Sequence, residues 1–287
     1  MADILQSNHK VKHMTRYDDN INNNSTKPFH TFRKSRVKRT VDQGKVATIL
    51  KCNTSDTKVA EIFALAQPDA IWLCMEHGSL DYGQAENQIN AAKIYDVDSL
   101  LRVNRGGYSN YIRGFELDCT GLIIPQIKNF ADAKEIEEFT KFPPIGKRGL
   151  DGGNNDGKYT KLDMNEYLKQ SNEERLVIYQ VETPEVLNDI EAIAEMEGVD
   201  ALFFGPGDYS LSLGVPGQMD HPEVVSARKL VADLARKNNK IAATPGGPAV
   251  AKTYIDMGYN LLNIGADVVA LADYAENLVN EFGKINS

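Results

Sequence analysis

Eight short apolar runs, each followed by a longer polar segment with apolar residues at helical spacing, constrain the fold of this chain more than any other feature. The runs cover residues 46–50, 70–75, 99–103, 121–127, 176–181, 201–204, 240–244 and 260–264. Unbroken apolar runs of this length are the pattern of strands buried on both faces, as in a parallel sheet. Between them, residues 58–66 present Val59, Ile62, Phe63 and Ala66 on one helical face. Similar stripes run through 84–95, 131–139, 184–194 and 222–237, with 268–282 as a closing helix. Eight alternating units within one domain of this length predict a (β/α)8 TIM barrel. An open doubly wound sheet should carry Gly-x-Gly-x-x-Gly after its first strand. Here Lys51-Cys52-Asn53-Thr54-Ser55-Asp56 follows instead, which reads as a helix N-cap.

The barrel is assigned to 45–287 and an N-terminal extension to 1–44. That extension holds nine Lys/Arg against four acids, a balance of +5 in a chain of net charge -8. With few aromatics to stack bases and no sustained amphipathic pattern, it reads as a flexible lead-in, and 1–13, ahead of Met14, as an added leader. The acidic remainder argues against general nucleic-acid binding. No run reaches the ~18 apolar residues of a membrane helix, and no signal-peptide core opens the chain, so a cytoplasmic location is expected. Cys52, Cys74 and Cys119 form no Cys-x-x-Cys pair and read as reduced thiols.

In such barrels the carboxyl ends of the strands form the active face. Glu76 and His77, Arg102, Gln126, Gln180 and Glu182, and Asp208 all fall at or just past a run, so the fold gathers them there. Two carboxylates at that face, Glu182 and Asp208, suit a hard metal ion. A cation so held polarises a carbonyl, an arginine holds carboxylate or enolate oxygens, and a histidine moves protons near neutral pH. Taken singly each has a plainer reading: Glu182 in a salt bridge, Arg102 as its partner, His77 as a hydrogen-bonded structural residue. The connection 142–175, with its Gly146–Gly157 stretch around Lys147 and Arg148, is long for punctuation and is expected to bind an anionic substrate, cover the barrel or make a subunit contact.

Several motifs in order resemble the HpcH/HpaI aldolase family. They are Trp72-Leu73-Cys74-Met75-Glu76-His77, Leu101-Arg102-Val103, Phe142-Pro143-Pro144-Ile145-Gly146-Lys147-Arg148-Gly149, Gln180-Val181-Glu182-Thr183, Gly205-Pro206-Gly207-Asp208-Tyr209-Ser210 and His221-Pro222-Glu223. The resemblance spans roughly residues 45–282. It implies metal-dependent, reversible cleavage of a 4-hydroxy-2-oxo acid, sugar-derived or dicarboxylic, to pyruvate and an aldehyde. By resemblance Glu182 and Asp208 bind the metal, Arg102 contacts the pyruvyl oxygens, His77 is the base, and Gln180 lies beside the site. The amides of Gly207 and Asp208 receive the carboxylate, and Asp118 orients the histidine. Oxygen donors favour Mg²⁺ or Mn²⁺, with Co²⁺ behind them. The family also implies a homo-oligomer, commonly a hexamer built as a trimer of dimers, with the C-terminal helix exchanged between neighbours.

Two departures from the family pattern matter. Its usual Asp-Gly-Glu-His box is Cys74-Met75-Glu76-His77 here, so an acid that often assists proton transfer is absent, and Gly207 replaces the usual Ala or Ser. Three alternatives stand beside the metal aldolase. One is a Schiff-base mechanism through Lys51 or Lys128, one a CoA-ester lyase of the citrate-lyase β-subunit type, and one a non-catalytic metabolite-binding barrel. The aldehyde's contacts are expected from the 146–157 loop and the region of Tyr82 and Tyr108.

Overall fold

The computed structural model describes residues 31–285, and at its centre lies a closed barrel of eight parallel strands in chain order. They are β1 (Ala47–Cys52), β2 (Ala70–Cys74), β3 (Asp98–Arg102), β4 (Gly121–Ile124), β5 (Leu176–Val181), β6 (Ala201–Phe204), β7 (Ile241–Pro245) and β8 (Leu261–Ala266). β8 closes onto β1 with a register shift between Ile49 and Leu50. The helices are α1 (Arg36–Asp42), α2 (Thr57–Leu65), α3 (Tyr82–Ile94), α4 (Tyr108–Glu116), α5 (Phe130–Thr140), α6 (Met164–Glu174), α7 (Ile190–Glu195), α8 (Pro206–Ser212), α9 (Pro222–Lys237), α10 (Pro248–Met257) and α11 (Asp267–Ile285). Among the described residues no helix is long and apolar enough to cross a membrane.

All eight strands expected from the apolar runs form, with ends within a few residues of the runs. β4 stops at Ile124 because Pro125 has no N–H to continue the ladder and Gln126 turns the chain at φ +51°. The 184–194 stripe divides into a single 3-10 turn, Glu185–Asn188, and the short α7.

Alternation along each strand sorts side chains into two cores. Inward residues such as Ile49, Trp72, Leu100, Ile123, Ile178 and Phe203 fill the barrel, while their neighbours Leu73, Leu101, Leu122, Val177, Tyr179 and Leu202 pack under the helices. Trp72 meets Phe203 edge to face across the interior, with centroids 5.3 Å apart, a geometry that adds roughly 1 kcal/mol to the area buried.

The amino-terminal end of the barrel is closed by residues 32–42. Val37 is fully buried in the barrel core. Asp98 accepts hydrogen bonds from Ser35 Oγ (2.7 Å) and the Val37 amide (3.0 Å) and pairs with Arg33 (3.0 Å). Lys38 and Lys141 share Asp200 at 2.9 and 2.7 Å, and Arg36 and Thr40 engage Asp69. Part of the basic segment read as a lead-in is therefore the floor of the barrel, its charges matched to aspartates at the feet of the strands. The extension and leader readings for residues 1–30 lie outside the described residues.

Candidate active site

Two residues beyond the inward core layer, the same alternation turns polar side chains into the mouth. Ile49 is followed by Lys51, Trp72 by Cys74, Leu100 by Arg102, and Ile178 by Gln180 and then Glu182 just past the strand. The register sets Cys74 beside Arg102 and Gln180 beside Phe203. Arg102, Gln180 and Glu182 are each at least 95% buried, so their polar ends must find partners inside the mouth.

They find one another. Arg102 Nε lies 3.1 Å from Glu76 Oε2, its Nη2 donates to Cys74 Sγ at 3.0 Å, and its Nη1 reaches Gln180 Oε1 at 3.5 Å. Gln180 Nε2 donates to Glu182 Oε1 at 2.7 Å, and the Gln126 amide donates to Glu182 Oε2 at 2.9 Å. His77 projects outward at the rim, with Nε2 3.5 Å from Glu76 Oε2. Glu76 thus links the buried arginine to the exposed imidazole, a role that parity of the strand positions alone does not reveal.

Past β6, Gly205 opens α8 without any side-chain cap, leaving first-turn amides at Gly207 and Asp208 facing outward. A Cβ at 205 would sit 2.7 Å from Glu182 Cγ, so any larger residue there would push the Glu182 side chain out of its place. The carboxyl of Glu182 therefore occupies a cradle that only a missing side chain provides. Burial pushes its pKa up to about 7; the negative charges of Asp208 and Glu76 add to this, while the Gln126 amide and Arg102 oppose it. Asp208 stands exposed in the first turn of α8.

Among the described residues no three His, Cys, Asp or Glu side chains cluster as a metal cage. Two repelling carboxylates, one buried and one open, nevertheless suit a hard divalent cation that completes its shell with water and substrate oxygens. Cys74, bonded to Arg102 and set inward beside it, is a thiol at the mouth and not a soft-metal cage.

Two expectations are corrected. Asp118 does not reach His77: it precedes β4, at the opposite end of the barrel, and is fully buried. There it meets Lys93 (2.5 Å), Lys158 (2.6 Å) and Arg175. Burial alone would raise its pKa, but these three cations outweigh it and hold the carboxyl at about 2. The 142–175 connection also belongs to that end. It contains α6, and its Asp156 pairs with Arg175 (2.5 Å) and Arg148 (3.1 Å), while Lys158 pairs with Asp118. Its Asp156 and Lys158 thereby anchor the feet of β4 and β5. Tyr108 is taken up in the same way, its hydroxyl accepting from the Gly149 amide at 2.8 Å. Of the two lysines considered for a Schiff base, Lys51 enters the mouth and Lys128 is exposed in the loop between β4 and α5.

The profile of the HpcH/HpaI aldolase/citrate lyase family matches residues 48–273, the whole barrel from β1 into α11. The chain belongs to this family. A pyruvate aldolase of Rhizobium etli is 31% identical over 253 residues, covering 86% of this chain and 97% of its own length. A 4-hydroxy-2-oxo-heptane-1,7-dioate aldolase of Escherichia coli is 28% identical, covering 80% and 87%. A crystal structure of an HpcH/HpaI aldolase from Desulfitobacterium hafniense superposes with a TM-score of 0.80 at 25% identity, covering 85% and 95%. Carbon–carbon lyase chemistry is the class these named relatives share, and the mouth described above is where an HpcH/HpaI barrel would carry it.

Proposed function

We propose that this protein catalyses reversible, metal-assisted aldol cleavage of a 4-hydroxy-2-oxo acid to pyruvate and an aldehyde. The observation that carries the reading is the buried chain Glu182–Gln180–Arg102–Glu76 ending at the rim on His77, beside the uncapped start of α8. Glu182 and Asp208 would hold a divalent cation, Mg²⁺ or Mn²⁺ by their oxygen donors. When bound, that ion supplies Lewis-acid polarisation of the 2-oxo group.

The chain's own residues account for the rest. Amides of Gly207 and Asp208 receive the C1 carboxylate at a helix start, where N–H groups point outward. His77 takes the proton from the C4 hydroxyl, with Glu76 beside it to stabilise the imidazolium that forms. As the C3–C4 bond breaks, negative charge develops on the C2 oxygen of the three-carbon fragment. Arg102, desolvated and fixed by Glu76, Cys74 and Gln180, is pre-set to meet that charge. Proton return to C3 releases pyruvate.

Pyruvate release from a panel of 4-hydroxy-2-oxo acids, with chelator and with Mg²⁺ or Mn²⁺ restored, tests the reading. Glu182→Gln and Asp208→Asn should each lower kcat/KM by about a hundred-fold or more, a loss of some 3 kcal/mol of transition-state stabilisation. Borohydride trapping of pyruvate on a lysine in the presence of chelator would count against it.

We further propose that the protein works as a homo-oligomer in the cytoplasm. Support for assembly comes from α11, whose Val269, Leu271, Leu278, Val279 and Phe282 are all more than half exposed on a single chain, a patch of the kind that marks an interface.

A further inference from the structure

Lys51 ends β1 pointing into the barrel mouth, and the proposed reaction gives it no task. Its Nζ lies 4.7 Å from the centroid of the Trp72 ring, and the guanidinium carbon of Arg102 lies 4.8 Å from the same ring. Two cations therefore share one indole. Arg102 has Glu76 at 3.1 Å to meet its charge. Among the described residues the Lys51 ammonium makes no hydrogen bond or ion pair; its close contact is the Trp72 face, and Cys74, Glu76 and Asp267 act on its charge only from farther away.

The neighbouring acids do not fill that gap. Asp267 gives its oxygens to the amides of Asn53, Thr54 and Val268 and to the Thr54 hydroxyl. Cys74 stands where the family's box carries an aspartate, and its sulfur is taken up by Arg102 Nη2 at 3.0 Å, so the nearest inward position on β2 offers Lys51 no carboxylate. Burial and the charge of Arg102 both lower the pKa of Lys51, more than Cys74, Glu76 and Asp267 raise it. An indole face favours a cation but cannot neutralise it, and like charges at one ring favour an anion between them.

Lys51 also stands on the far side of the mouth. β1 lies four strands from β5 around the closed barrel, opposite Glu182, with Arg102 on β3 between them. A 2-oxo acid with its C1 end at α8 and its C2 oxygen near Arg102 would leave the β1 side of the mouth, where Lys51 stands, open to its aldehyde portion.

We propose that Lys51, seated on Trp72, is a subsite for a second carboxylate carried by the aldehyde fragment, which makes the preferred substrates 4-hydroxy-2-oxo dicarboxylic acids over neutral sugar-derived ones. This rests on the aldolase reading given above. Lys51 is a specificity-determining residue in this scheme and takes no part in bond making.

Trp72 is the chain's single tryptophan, so its emission reports this subsite without turnover. Wild type, Lys51→Met and Lys51→Arg are titrated with 4-oxobutanoate, with butanal as the uncharged four-carbon aldehyde, and with pyruvate. 4-Oxobutanoate should perturb Trp72 emission in wild type and in Lys51→Arg, and bind about ten-fold or more weakly in Lys51→Met, as expected for loss of a charged contact. In aldol addition of pyruvate, the preference for 4-oxobutanoate over butanal should fall by a similar factor in Lys51→Met and be kept in Lys51→Arg.

Three results would overturn the proposal: an unchanged preference in Lys51→Met, a Lys51-dependent response to pyruvate equal to that for 4-oxobutanoate, or loss of all turnover in Lys51→Arg as in Lys51→Met. The last would mark Lys51 as a covalent nucleophile, since arginine keeps the charge but not the amine. Charge-selective Trp72 emission without any aldolase activity would retain the subsite and reject the reaction; activity without selectivity would do the reverse.

Discussion

Glu182 is a carboxyl group placed where its own ionisation is opposed, and the consequence is measurable. In the metal-free protein its pKa of about 7 exceeds the ordinary 4.5, so between these values the folded state holds a proton that the unfolded chain has released. Stability must then fall as pH rises from 4.5 to 7, by about 3 kcal/mol in total. Urea denaturation with chelator, on both sides of that window, should show the slope in wild type and lose most of it in Glu182→Gln. Divalent-ion affinity should rise with pH through the same range, because binding displaces the proton; calorimetric titration at two pH values reads this directly. A slope unchanged in Glu182→Gln would mean that another group carries it. The position itself was legible in sequence: Gln180 and Glu182 end an unbroken apolar run, and strand parity turns them inward. The need for Gly205 beside Glu182 was not legible, because it depends on how closely a side chain past β5 approaches the backbone past the neighbouring β6.

At the level of elements, the strands could be read from their apolar runs, but several helices could not. α4, α8 and α10 start on Gly107, Gly205 and Gly247 with no side-chain cap, so the Ser, Thr, Asp or Asn signal of a helix start is missing. α6 has Asp163 as its cap, yet buries only Tyr167 and Ser171, too little for an apolar stripe within a polar connection. The same blindness misplaced Asp118, since a motif fixes a residue's neighbours in sequence and not the end of the barrel to which its side chain belongs. The floor network makes its own forecast. Asp118→Asn removes one carboxylate from the fully buried Arg175 and should destabilise the fold by about 3 kcal/mol, the scale for breaking a buried pair. KM for the 2-oxo acid should stay within error of wild type in the folded fraction. Because Asp118 is held at about 2 against an ordinary 3.8, its contribution is complete above 3.8 and fades as pH drops toward 2. Loss of kcat with full stability would restore the histidine-orienting role that its position argues against.

For the whole molecule, α11 is the element least satisfied by its own chain. Phe282 is 64% and Val279 71% exposed, and α10 buries no residue fully. Sedimentation should therefore give an assembly larger than one chain at micromolar concentration. Leu278→Glu combined with Phe282→Glu should shift it toward monomer, as expected when two charges enter an apolar contact at a few kcal/mol each. A monomeric wild type would leave that face without its proposed partner.

The barrel keeps its two kinds of buried charge at opposite ends. Aspartates at the feet of β2, β3, β4 and β6 are matched by lysines and arginines, while the mouth, beside its Arg102–Glu76 pair, holds an acid and an ammonium without such matches. Substitutions that redraw the choice of aldehyde can then accumulate around Lys51 and Cys74 while the ion pairs that hold the strands together go untouched. This is a scaffold suited to drift in specificity. A selection experiment confined to those two positions should yield new aldehyde preferences at little loss of melting temperature, whereas the same diversity at Asp98, Asp118 or Asp200 should yield mostly unfolded chains.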